Sequence, residues 1–435
     1  MTVRGSAVPS AGRPPAPGPR DLRLIVRDEP LSLAEHTACY GPLPSGPPDL
    51  LIAEVERSGL TGRGGGAFPA GRKMRAVAGA RGPARTGRVV IANGSESEPA
   101  SSKDGVLLSR APHLVLDGIA LCASAVGADR AYLCVGHAAG TSDRALARAV
   151  AERAGAGLDS VPVEIHPTAG GYLAGQESAL ISALNGNAPV PTFVPPRPAE
   201  RGAHRRPTLV LNVETLAHIA LIARFGSEWF AAAGTPGTPG SALVTVTGAV
   251  QRPGVREIPL GTPLGELLHR CGLIKPAQAV LTGGYFGTWL PLPAALTVPV
   301  SHEGMRAAGA SLGPGVLAVL PAAACGLAET ARVASFLAAQ NAGQCGPCRN
   351  GLPALAEALN WIAFGQAGPD IIGWVEQLAG LVAGRGACHL PDGAAGLVRS
   401  ALTVFAADVQ AHLSAGPCAR ASGPPVLPVP ARWAQ

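Results

Sequence analysis

The residues best placed to do chemistry begin between Ser58 and Gly71, which reads SGLTGRGGGAFPAG. Six of these fourteen residues are glycine, so the backbone is free to take positive φ and its N–H groups can close on an anion. Arg63 adds a fixed charge and Phe68 a flat apolar face. Together they offer an anionic nucleotide a phosphate seat and a ring platform, and the stretch reads as a cradle for a flavin phosphate. In a chain with 57 glycines, a plain surface turn is the competing reading.

Three polar stretches follow it, each beside an apolar run. Asn93 to Asp104 reads NGSESEPASSKD and comes directly after the strand candidate RVVIA. Asn93 carries a donor and an acceptor suited to a heteroaromatic edge, and Glu96 and Glu98 place carboxylates at a strand's C-terminal end, where open α/β sheets bind ligands. Gly170 to Leu184 (GGYLAGQESALISAL) is a loop opening a helix, with Glu177 in its first turn, and Asn212 to Leu216 (NVETL) again ends a strand. Each alone is consistent with a helix cap. Four in succession at strand ends point to one site.

The lysines point the same way. Of 35 basic residues only Lys73, Lys103 and Lys275 are lysine, and two of these fall just after the Gly-rich loop and in the acidic motif. Where a flexible ammonium is not required, this chain uses Arg.

Cys345-Gly-Pro-Cys348 supplies two thiolates within one turn, and Cys388 follows beyond two helical patterns. That set suits an iron–sulfur cluster. A zinc site would want a fourth soft ligand; His389 is adjacent to Cys388, but neighbours in sequence seldom reach the same ion. Cys122, Cys134 and Cys271 lie in apolar stretches and read as core fillers; Cys39 and Cys418 are uninformative.

The elements that must position these residues fall into blocks. At 435 residues about three domains are expected, and 47% apolar content with only 4% aromatic means cores of Ala, Val and Leu. Residues 1–49 are expected to be a disordered, Pro/Gly-rich N-terminus and linker, and 416–435 a disordered tail. Residues 50–234 alternate strand and helix patterns, which predicts an α/β layer with a largely parallel sheet. After the GTPGTPG break, 241–320 read as a small β-grasp-like unit, and 325–415 carry four amphipathic patterns, enough for a four-helix bundle. The net charge of +6 is diffuse, with no basic-aromatic interleaving, which argues against nucleic acid as a partner. No run of 18 uninterrupted apolar residues and no signal-peptide pattern is found, so a cytoplasmic location without a membrane span is expected.

Taken in order, GRGGGAFPAGRK, NGSESEP followed by KD, GYLAGQESAL, NVETL and GQCGPCRNG with a distant Cys388 resemble the flavin-carrying, NADH-oxidising subunit of respiratory complex I, the 51 kDa family, over roughly Leu50 to Leu413. The resemblance implies an FMN-binding α/β domain, a small ubiquitin-like domain of the SLBB type and a helical bundle with a [4Fe–4S] cluster. It assigns FMN to positions matching Gly62, Gly64, Gly65, Lys73, Asn93, Glu96, Asn212 and Thr215, with Arg63, Phe68 and Glu98 beside them. It places Gln176 and Glu177 at the catalytic, nicotinamide side and Cys345, Cys348 and Cys388 on the cluster. An NADH:acceptor (quinone) oxidoreductase-type subunit is implied, with NAD(P)H as substrate and a [2Fe–2S] or ferredoxin-like redox partner, attached to a membrane complex.

Against that pattern, Ala342 stands where the family has its first cluster cysteine and Gln176 where it has a glutamate; Ala76 and Arg197 replace two aromatic residues. A methyl group cannot bind iron. The cluster could keep water or a carboxylate on one iron, recruit Cys325, hold three irons, or be lost. Two alternatives to the dehydrogenase stay open: an FMN/iron–sulfur relay without NADH activity, and a cofactor-poor docking subunit.

Overall fold

The computed structural model describes residues 23–80, 87–136, 141–365, 367–368 and 370–430. Val89, Val90, Ile91 and Ala92 are fully buried, as expected of a strand covered on both faces. This strand, β1 (Arg88–Gly94), is central in a parallel sheet with β2 (Ala128–Val135), β3 (Val163–Pro167) and β4 (Thr208–Asn212), in the order β3-β2-β1-β4. The order reverses between β1 and β4, so a crevice opens at their C-terminal ends. The register places Asn93 opposite Asn212 at that point.

Helix Pro112–Val126 packs tightly on helix Val213–Phe225: a Cβ on Gly118 would fall 2.1 Å from the Leu216 carbonyl oxygen, so only glycine permits this approach. Asp117 beside it is buried and accepts from His36 (2.8 Å), Arg153 (2.6 Å) and Arg224 (2.5 Å). Burial alone would raise its pKa, but these three partners hold its carboxyl well below the usual range.

The N-terminal expectation needs correction. Residues 1–22 lie outside the described residues, but from residue 23 the chain is packed. Leu24 and Tyr40 are buried, the N–H groups of Arg23 and Leu24 both donate to Glu257 (2.9 Å each), and helix Leu33–Tyr40 begins with a Ser32/Glu35 capping box.

The second domain has strands β5 (Ser241–Gly248), β6 (Gly254–Pro259), β7 (Ala277–Thr282), β8 (Thr288–Pro291) and β9 (Val316–Pro321), in the order β8-β7-β9-β5-β6 with β9 and β5 parallel at the centre. With helix Leu264–Arg270 this is the expected β-grasp unit.

The C-terminal block has five helices among the described residues: Gly326–Ala339, Leu352–Phe364, Ile371–Val382, Leu390–Val404 and Ala406–Ala415. The pattern running from Val398 to Val409 is broken at Phe405, whose ring packs on Trp289 (5.4 Å) and against Gly326. The tail is also not free. Val426 and Leu427 donate backbone N–H groups to Glu329 (3.1 and 2.9 Å), and Tyr285 donates its hydroxyl to the Pro428 carbonyl (2.6 Å). Residues 431–435 of the expected tail lie outside the described residues. No single helix among the described residues is long and apolar enough to cross a membrane.

The bundle and β-grasp unit share a core. Trp289 donates its buried indole N–H to Thr330 Oγ1 at 3.0 Å. Thr330→Val keeps the shape but removes the acceptor, and is expected to cost about 1–3 kcal/mol in urea unfolding. Unchanged stability would show that this bond contributes nothing net.

Candidate functional site

A cavity of about 580 Å³ opens at the β1/β4 crevice, within the usual range for small-molecule sites. Its walls hold Gly62, Gly64, Gly65, Phe68 and Lys73 from the Gly-rich loop, Asn93, Glu96 and Glu98 from the segment after β1, Gln176 and Glu177, and Asn212 and Thr215. Cys388, Leu390 and Phe286 also line it.

The loop is closed by a Gly62 N–H to Phe68 carbonyl bond (2.8 Å) and tethered by Arg63 N–H to Thr215 Oγ1 (2.9 Å). Gly65 has φ +110°, and Ala67, though not glycine, has φ +49°. A Cβ on Gly66 would meet nothing within 4 Å, so the loop's face is open there. Phe68 stands half exposed at the rim, with the Arg72 guanidinium 5.6 Å from its ring centre.

Arg63 does not reach this cavity. Its buried guanidinium donates to Thr61 Oγ1 (3.0 Å) and to the carbonyls of Ser241 (3.1 Å) and Pro239 (3.4 Å). The charge expected to meet a phosphate instead braces the cradle against the start of β5. Lys73 does line the cavity and forms a 2.7 Å ion pair with Glu177.

Asn212 also differs from expectation. Its amide donates to the Asn93 carbonyl (3.2 Å) and Asp104 (2.7 Å), and its Oδ1 accepts from Glu214 N–H (3.0 Å) and Lys103 Nζ (3.3 Å). All four of its hydrogen-bonding positions are spent on protein, so it shapes the floor and donates nothing to a ligand. Asn93 spends two of its four, on the Gly175 carbonyl (2.8 Å) and Ser95 N–H (3.2 Å). Gln176 commits its side-chain oxygen to the N-terminus of helix Glu177–Leu184, accepting from the N–H groups of Ser178 (2.8 Å) and Ala179 (3.0 Å). Glutamine therefore caps this helix without adding a charge.

Glu96, at φ +40°, likewise accepts from Ser101 Oγ (2.8 Å), Asp104 N–H (2.9 Å) and Gly105 N–H (2.8 Å), capping helix Lys103–Arg110. Below it Lys103 is buried between Asp104 (2.7 Å) and Glu214 (2.9 Å). This ion network was foreshadowed only by the scarcity of lysine.

Glu98 joins two domains. It accepts from Tyr172 Oη (2.9 Å) and Tyr285 N–H (2.8 Å), and burial pushes its pKa up to about 7. Sequence reasoning missed both tyrosines as site residues, although the chain has only four. Because the folded-state value lies above the unfolded one, the native state holds an extra proton between about pH 4.5 and 7, and this contribution to stability is lost as pH rises through that window. Glu98→Gln is expected to flatten the pH dependence of unfolding between those limits; a profile parallel to wild type would place the titration elsewhere.

Cys345 and Cys348 lie 3.6 Å apart, sulfur to sulfur. Burial opposes ionisation of all three thiols, but each faces a backbone N–H that favours the thiolate: Ala387 for Cys345, Ala342 for Cys348 and Leu390 for Cys388. The three are not all within 4.8 Å of one another. With the first two sulfurs this close, Cys388 lies more than 4.8 Å from at least one of them, a spacing that a polynuclear cluster spans more readily than a single ion. Cys325 cannot be the fourth ligand. It sits before helix Gly326–Ala339 and Ala342 beyond its end, about 20 Å away at 1.5 Å per residue. Cys122, Cys134 and Cys271 are buried, as expected of core fillers.

Known proteins share this layout. Residues 55–221 match the Nuo51 FMN-binding domain, 243–284 the SLBB domain, and 328–412 the NADH-ubiquinone oxidoreductase-F iron-sulfur binding region. The second F-type subunit of the NADH-quinone oxidoreductase of Rhizobium meliloti is 34% identical over 385 residues, covering 85% of this chain and 90% of that one. The F-type subunit of the Mycobacterium tuberculosis enzyme is also 34% identical, over 86% of each chain. The NAD+-reducing [NiFe]-hydrogenase in its air-oxidised state superposes with a TM-score of 0.77 at 32% identity, over 84% of this chain and 63% of that solved chain. With an FMN-domain match around the cradle, an iron–sulfur match around the three thiols and curated relatives aligned over most of their length, the chain belongs to the family of NADH-quinone oxidoreductase F-type subunits.

Proposed function

We propose that this chain is the pyridine-nucleotide-oxidising flavo-iron–sulfur subunit of a larger redox assembly. The observation that carries it is one cavity whose walls include both the Gly62–Lys73 cradle and Cys388. FMN would supply conversion of a two-electron hydride donor to single-electron transfer, and the cluster at Cys345, Cys348 and Cys388 would supply the exit. The chain's residues set the terms. Gly64, Gly65, Gly66 and Lys73 line the cavity and would supply backbone N–H groups and an ammonium to an anion, Phe68 offers the ring platform, and Asn93 keeps one N–H and one lone pair for a polar ring edge. Glu98 can hold or release a proton near neutral pH at the cavity wall. By its family membership, the electrons would leave to a [2Fe–2S] or ferredoxin-like partner in an assembly attached to a membrane complex.

A relay without NADH activity is the second reading, favoured by one feature: of the three positions that are aromatic in the family it resembles, only Phe68 is kept, and Ala76 and Arg197 are absent from the cavity wall. Anaerobic purification with flavin and iron quantified, followed by NADH and then NADPH, separates the two. Bound flavin bleached by one nucleotide supports the dehydrogenase; flavin and iron reducible only by dithionite support the relay, and protein with neither would overturn both.

A further inference from the structure

We propose that Cys325, His412 and Cys418 form a second, mononuclear metal site of the chain, suited to Zn²⁺ and separate from the iron–sulfur centre. Among the described residues this is the one group of three or more Cys, His or acidic side chains whose donor atoms all lie within 4.8 Å of one another. Cys325 Sγ is 3.9 Å from His412 Nε2. A tetrahedral zinc with bonds of about 2.3 Å to sulfur and 2.0 Å to nitrogen holds the two donors about 3.5 Å apart, so a shift of a few tenths of an ångström closes the site.

The surroundings prepare each donor. His412 Nδ1 lies 3.0 Å from the Ile362 carbonyl and must carry the proton there, which leaves the Nε2 lone pair turned toward the two cysteines. This is the outer hydrogen bond that orients metal-ligating histidines. Nε2 now accepts the Cys418 N–H at 3.1 Å, a bond the metal would replace. Cys325 is the residue before helix Gly326–Ala339; burial pushes its thiol up, and the N–H groups of Ala328 and Leu327 at the helix start only partly oppose that. Cys325 and His412 are buried and Cys418 is half-buried, so the fourth position would open on the Cys418 side, where water could complete the tetrahedron.

The site would fasten three segments: the start of the first bundle helix, the last helix, and the tail that continues to Leu427 and Pro428. The cluster thiols sit near the opposite end of helix Gly326–Ala339. Two thiolates and an imidazole at one point suit zinc, a redox-inert ion of borderline softness.

The test is metal analysis of the full chain purified with its iron–sulfur centre. About one zinc per chain is expected in addition to iron. Cys418→Ser, at the most accessible ligand, should weaken zinc binding at least about 100-fold in a chelator competition, and cobalt in place of zinc should give thiolate-to-cobalt charge-transfer absorption that this variant loses. Cys345→Ser should lower iron and leave zinc unchanged. The proposal is overturned if zinc is absent, if zinc follows Cys345→Ser instead of Cys418→Ser, or if alkylation and mass spectrometry show a Cys325–Cys418 disulfide.

Discussion

Gly65→Val is expected to weaken FMN binding by a factor of about 100 or more, at roughly 1.4 kcal/mol per tenfold. Gly65 sits at φ +110°, outside the left-handed region that other residues visit, and a β-branched side chain fits there least of all. A Cβ itself would just fit in van der Waals contact, and only the further branches of valine would crowd the site. A Cβ would lie 3.4 Å from the Gly313 carbonyl carbon and 3.5 Å from the Pro314 nitrogen, both backbone atoms of the β-grasp domain that cannot rotate aside. Backbone strain of this kind costs about 1–3 kcal/mol, and the added branches press further on Gly313 and Pro314. The loop would relieve the strain by lifting away from that domain, carrying with it the glycines that line the cavity. Flavin fluorescence titration of the deflavinated protein measures the loss, and thermal unfolding without flavin should change far less because the loop can relax. Affinity within threefold of wild type would show that the cradle does not seat the phosphate.

The parts of this molecule legible in its sequence are those whose signal is local. The RVVIA run, followed at once by NGSESEP, places a buried strand and a polar C-terminal end without any knowledge of the fold, and β1 ends at Asn93–Gly94. The GTPGTPG break and the Cys-x-x-Cys pair are local in the same sense. What was not legible depends on distant partners. Arg63 looks like a phosphate-binding residue because it sits among glycines, yet its guanidinium is taken by carbonyls at Pro239 and Ser241, more than 170 positions away. Asn212 reads as a ligand donor until its four bonds are counted. The Pro/Gly-rich stretches at both ends have the composition of disorder, but Glu257 and Glu329 hold them through backbone N–H groups, which no side-chain pattern records. Phe405 ends a helix that its periodicity would continue, because its ring is claimed by Trp289 and the close approach at Gly326.

Restoring a thiol at position 342 tests the cluster by gain instead of loss. Ala342→Cys is expected to bring iron to about four per chain and to lengthen the centre's half-life in air by about 10-fold or more, the scale on which single ligand-sphere changes act. Ala342 stands three residues before Cys345, which in turn stands three before Cys348, so a thiol there repeats the spacing that already brings two sulfurs to 3.6 Å. Its backbone N–H faces the Cys348 sulfur, which puts position 342 at the edge of the thiol group, and Ala342 is only partly buried, so one added sulfur does not overfill the core. In the parent chain an iron held beside residue 342 would lack a thiolate and is expected to be the first to leave, giving less than four irons and the magnetic signature of a three-iron centre on oxidation. Iron analysis and electron paramagnetic resonance of the two proteins, prepared side by side, decide the point. Equal iron and equal decay would mean that a non-thiol ligand already completes the parent's cluster, and the alanine would then mark a site where ligand exchange, not loss, took place.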